Sequence, residues 1–130
     1  MIENKYVSFE TAKLLKQKGF VNDFCFKYFE QLSHNNIPIL KECYNEIPTN
    51  ANFYDWTYSA PTLQMALDWL NERKGLYPDI ALEVYDDTIK YRIMGIYDKN
   101  EKKWKEDNSI YDSMAEAIDK TIRYCLEELV

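Results

Sequence analysis

IALEVYDDTIKYRIMGIY, residues 80–97, is the stretch whose reading decides the fold. Ile80, Leu82 and Val84 alternate with Ala81, Glu83 and Tyr85, the period of two that puts successive side chains on opposite faces of a strand. Asp86-Asp87 supplies a tight turn, and the β-branched and aromatic run from Thr88 to Tyr97 returns, so a hairpin is predicted. After the polar turn Asp98 to Lys102, a short strand around Lys103 to Lys105 extends it to a meander. Upstream, Phe24, Phe26 and Tyr28 alternate with Cys25 and Lys27 in the same way. Residues 31 to 52 hold His34-Asn35-Asn36, Pro38, Pro48 and further Asn, and read as a turn followed by a poorly patterned strand or loop.

Three helices punctuate these strands. Ser8 is placed as an N-cap, Val7 can staple onto Ala12, and Phe9, Ala12 and Leu15 recur at helical spacing to about Lys18. Gly19 supplies the left-handed stop, with Phe20 folding back on the last turn. A second helix is expected to start within Ser59-Ala60-Pro61-Thr62, a Ser cap with Pro in the first turn. It carries Leu63, Ala66, Leu67 and Leu70 on one face and ends at Gly75. A third is C-terminal, with Ser113 and Glu116 spaced as a capping box and Ala117, Ile118, Ile122, Cys125, Leu126 and Leu129 in one apolar stripe. The expectation is a single α+β domain over residues 1–130, in the order αββαββ(β)α, with an antiparallel sheet of about four to five strands carrying helices packed on it. KGFVNDFCFKYFE from Lys18 matches KGLYPDIALEVYD from Lys74 in its Lys, Gly and Asp, which reads either as a duplicated helix-to-hairpin unit or as convergence on one good helix stop.

The 130 residues include 22 acidic and 16 basic side chains, a net charge of −6. That balance disfavours direct nucleic-acid binding, which depends on Lys and Arg displacing counterions from phosphates. With 46% apolar residues, there is enough greasy side chain to offset the entropy of folding. The start MIENKYVSFETAKLL lacks the basic then apolar pattern of a signal peptide, and no stretch approaches eighteen apolar residues, so a cytoplasmic protein with no membrane partner is expected. Cys25, Cys43 and Cys125 are odd in number and contain no C-x-x-C pair, so they indicate neither a disulfide framework nor a zinc site.

Chemistry-bearing motifs are absent from the sequence. Gly19 and Gly75 serve as helix stops and Gly95 lies inside a strand, leaving none for a phosphate-cradling loop. His34, the sole histidine, reads as a surface turn residue, and the even spacing of Cys25, His34 and Cys43 matches no ligand or nucleophile pattern. The pairs Asp86-Asp87, Glu106-Asp107 and Glu127-Glu128 read as solvated acids, and Lys102-Lys103-Trp104-Lys105, bracketed by Glu101, Glu106 and Asp107, as a charged strand edge. No catalytic, cofactor-binding or metal-ligating residue is assigned, and no cofactor or metal is expected.

The positive anomaly is aromatic: eleven Tyr, six Phe and three Trp. Tyr and Trp are enriched in recognition surfaces, which favours a binding module over an enzyme. The densest stretch is Asn52 to Tyr58; if extended, it places Tyr54, Trp56 and Tyr58 on one side, either as a strand completing the core or as the anchor of an interface. The segments VSFETAKLLKQKGF, YSAPTLQMALDWLNE and AEAIDKTIRYCLEEL, taken together, resemble a group of small proteins encoded in phage, prophage and other mobile regions of gut-type bacteria. That group has no assigned activity, so the resemblance implies a bacterial cytosolic setting and an accessory role, and carries over no site residue. Three functional readings follow: a non-enzymatic module binding an as yet unidentified protein partner, a small enzyme or ligand-binding domain with a Tyr and carboxylate pocket, or an acidic mimic of DNA. Oligomeric state is not legible in the chain.

Overall fold

The computed structural model describes residues 5–21, 27–33, 36–42, 50 and 55–130. Helix α1 spans Phe9–Gln17, α2 Leu63–Trp69 and α3 Met114–Tyr124, the last two each running on into a π-helical turn, Leu70–Lys74 and Cys125–Leu129. The strands are β1 Lys27–Glu30, β2 Ile39–Glu42, β3 Thr57–Ala60, β4 Leu76–Tyr85, β5 Thr88–Asp98, β6 Lys103–Glu106 and β7 Ile110–Tyr111. The class is α+β, and helix, strands, helix, strands, helix follow in the expected order. The strands are divided between two antiparallel sheets instead of forming one: β2-β1-β3, and β4-β5-β6 with β7 also on β5.

Local chemistry explains the element ends. Ser8 Oγ accepts from Thr11 N at the start of α1. At its end Gly19 takes φ +90°, and Phe20 N donates to Leu15 O at 2.8 Å while Gly19 N donates to Lys16 O, a Schellman stop that buries Phe20. The cap of α2 is Thr62, whose hydroxyl accepts from Met65 N, and not Ser59. Ser59 and Ala60 are committed to β3, paired with Tyr28 and Lys27, and the Ser59 hydroxyl accepts from Asn50 N at 3.0 Å. Gly75 ends the second helical segment at φ +68°, and Ser113 caps α3 by accepting from Glu116 N.

The core joins Val7, Ala12, Leu15 and Phe20 to Leu63, Ala66 and Leu70, to Leu76 and Ile96, and to Ile118, Ile122, Cys125 and Leu126. Helix α3 touches both α1 and α2; the first sheet reaches this layer through β3 on α1, and the second through β5 and β7 on α3. In β5 both Ile93 and Ile96 are fully buried although three residues apart. A β-bulge explains this, because Asp79 pairs with Gly95 and Ile80 with Ile93, which leaves Met94 as an extra residue outside the core.

Within the described residues the two matched segments agree at the helix stop and differ in sheet position. Phe20 and Leu76 are both buried directly after a left-handed Gly, but β1 is the central strand of its sheet whereas the matching part of β4 is an edge.

Candidate interaction surface

The end of the first sheet is assembled from two separated segments. Beyond the last β1–β3 pair, Glu30 with Thr57, the ladder continues by Gln31 N donating to Trp56 O at 2.9 Å. The same Gln31 reaches across the β1–β2 connection, its Nε2 donating to Asn36 O, and Asn36 N donates to Ser33 O. Several large apolar side chains next to these bonds are exposed. Ile37 is 83% exposed, Leu32 66% and Trp56 42%, and Ile39 opens the edge strand β2, whose four residues are all exposed.

Leu32 lines two shallow depressions. One, of about 390 Å³, is bounded by Gln31, Leu32, Ser33, Asp55, Trp56 and Tyr58. The other, of about 440 Å³, is bounded by Glu30, Leu32, Asn36, Ile37 and Ile39. Tyr58, which lines the first depression with Trp56, packs edge-on against Phe9 at 5.3 Å, Phe9 does the same with Phe29, and Lys16 Nζ sits 4.9 Å from the Tyr58 ring while donating to Thr57 O. Partial burial there lowers the Lys16 pKa, against the opposing pull of Asp55. Glu30 is tied to Lys41 across the hairpin at 2.6 Å, so the rim carries a neutralised pair.

Of the residues singled out in the sequence, Trp56 and Tyr58 do come to one groove, with different roles. Trp56 lies in a turn before β3, half exposed, while Tyr58 is partly buried against the core. Tyr54, Cys25, His34 and Cys43 lie outside the described residues. Leu32, Ile37 and Ile39 belong to the stretch that the sequence marks only as a turn and a poorly patterned strand or loop. Ile37 and Ile39 alternate as a strand would, but nothing local shows that β2 is left with all four residues exposed.

Glu83 and Glu101 are held below the usual carboxylate range, Glu83 by the hydroxyl of Tyr85 and then Arg92, Glu101 by Lys105 and then Lys103. Burial pushes the Cys125 thiol up to about 12. Among the described residues no group of three His, Cys, Asp or Glu is placed to hold a metal, and no helix is long and apolar enough to cross a membrane. On the other sheet the exposed Trp104 pairs with the partly buried Tyr97 at 5.3 Å, and its ring covers Gly95 closely enough to leave little room for a Cβ. No protein-family model, curated protein or solved structure matches the chain.

Proposed function

We propose that the protein is a non-enzymatic interaction module that docks a protein partner on the Leu32, Ile37, Ile39 and Trp56 surface. The observation that carries this reading is the convergence of exposed large apolar side chains from two segments at one sheet end, beside the packed Phe9–Tyr58 ring pair. Such a cluster, rimmed by polar groups, is the usual make-up of a recognition patch. The enzyme reading calls for a deep pocket with a carboxyl kept protonated, whereas the two depressions are open and the perturbed carboxylates are shifted downward. A DNA mimic calls for rows of free carboxylates, and Glu30, Glu83, Glu101, Asp112 and Glu127 are each paired with a Lys or Arg. The resemblance of the three segments supports a cytoplasmic, accessory role in a bacterial mobile element.

Replacing Trp56 with Ala tests the reading. As an interface anchor it weakens binding to a partner captured by the wild type by about 30-fold or more, with melting nearly unchanged. Leu32→Asp should act in the same direction. A stability loss of about 3–5 kcal/mol, the cost of truncating a core Trp, would reassign Trp56 to the core and remove the anchor.

A further inference from the structure

The open edge of the second sheet is β4, bonded to β5 on one side and to no strand on the other among the described residues. Which backbone groups face outward follows from the register. A two-residue loop closes on a hydrogen-bonded pair, here Tyr85 with Thr88, so the alternate pairs Val84–Ile89, Leu82–Tyr91 and Ile80–Ile93 turn their N–H and C=O groups away from each other. Ile93 N accordingly donates to Ser109 O at 2.9 Å on the far side of β5. On β4 the N–H and C=O groups of Ile80, Leu82 and Val84 therefore point to the open edge. The side chains of the same three residues share one face with Ile89 and Tyr91. That face is continuous with the core at Ile80 and Ile93 but uncovered further out, where Leu82 is 57% and Val84 64% exposed.

The devices that ordinarily keep an edge from pairing sit on the other half of the strand. Pro78, Asp79 and the bulge guard its beginning. The one charge further along, Glu83, is drawn toward β5 by Arg92 at 2.9 Å and also accepts from the hydroxyl of Tyr85 on its own strand.

We propose that β4 pairs antiparallel with β4 of a second copy about a twofold axis at Leu82. In that register Leu82 faces the partner's Leu82, Ile80 faces the partner's Val84 and Val84 the partner's Ile80, giving about six backbone hydrogen bonds, two for each pair. Each uncovered Val84 is thereby laid against an Ile80 that packs on the partner's core. On the opposite face Glu83 meets the partner's Ala81, and Asp79 the partner's Tyr85. Sliding by two residues one way sets Glu83 opposite the partner's Glu83. Sliding the other way sets Asp79 opposite the partner's Glu83 and spends an outward position on Pro78, which has no N–H to give. Like charges directly opposed are destabilising, and a one-residue slip would put apolar side chains on the charged face. Self-complementarity of donors, apolar side chains and charge thus selects both the occupant and its register. This surface is separate from the Trp56 surface and does not depend on it.

Sedimentation of the full chain tests the pairing. The wild type should be a dimer at tens of micromolar. Leu82→Lys and Leu82→Glu should each weaken dimerisation at least about tenfold, and an equimolar mixture of the two should restore it. Hydrogen exchange on the wild type needs no variant: the amides of Ile80, Leu82 and Val84 should gain protection with concentration, while those of Ala81 and Glu83 stay protected throughout. A wild type that remains monomeric overturns the proposal. So does a dimer in which the three outward amides exchange freely, or one abolished by Leu32→Asp but not by Leu82→Lys.

Discussion

Asn50 shows how much one buried amide can organise. Its Nδ2 donates to Phe20 O at 2.8 Å, its Oδ1 accepts from Ser59 N at 2.8 Å, and its own N donates to the Ser59 hydroxyl. The exit of the α1 stop is thereby fastened to the outer edge of β3, and that edge cannot accept a further strand at Ser59. Asn50→Ala leaves the Ser59 N–H and the Phe20 C=O buried without these partners, which should cost about 2–6 kcal/mol at roughly 1–3 kcal/mol per orphaned group. Asn50→Asp keeps the acceptor and loses the donor, so denaturant midpoints should fall in the order wild type, Asp, Ala. A midpoint for Asn50→Ala equal to that of the wild type would show the clamp to be dispensable. None of this was legible in the chain, where Asn50 stands among turn formers and its long-range partners carry no periodic mark.

At the scale of elements, the amphipathic pieces were legible because their periods are local. The caps at Ser8 and Ser113, the stops at Gly19 and Gly75, the 80–97 hairpin and the stripe of α3 all rest on contacts within a few residues. Sheet membership was not, because it depends on what closes each edge. Ser59 looked like a cap for α2 until its pairing partners on β1 were known. Helix α3 has the clearest consequence for stability. Ala117, Ile118, Ile122, Cys125 and Leu126 are all buried, and α3 touches α1, α2, β5 and β7. Its three large aliphatic residues, at roughly 1.5–3 kcal/mol each, contribute as much as the whole net stability of an ordinary domain. A chain ending after Ser113 should be aggregated or lack a cooperative melting transition, and cooperative melting of that truncation would refute the assignment.

Over the whole molecule, composition marked a protein rich in aromatic side chains but did not say which would be left outside. Trp56 and Tyr58 were found because aromatic density is visible in sequence, whereas the Leu32, Ile37 and Ile39 side of the surface and the open β4 edge emerged only once the packing was known. Burial of Cys125 also gives the molecule a built-in clock for its own opening. The thiol is fully enclosed beneath α3, with its ionisation pushed to about 12, so neither the thiolate nor access to solvent is available while the helix is seated. Alkylation at Cys125 therefore counts excursions in which α3 leaves the core, without denaturant or heat. For a net stability of about 5 kcal/mol or more, labelling there should run at least roughly 10³-fold slower than in the unfolded chain, with peptide mapping separating it from Cys25 and Cys43. Anything that binds the closed form should slow it further in proportion to occupancy, making the same thiol a reader of ligand or second-copy association. A labelling rate equal to that of the unfolded chain would mean that α3 opens freely.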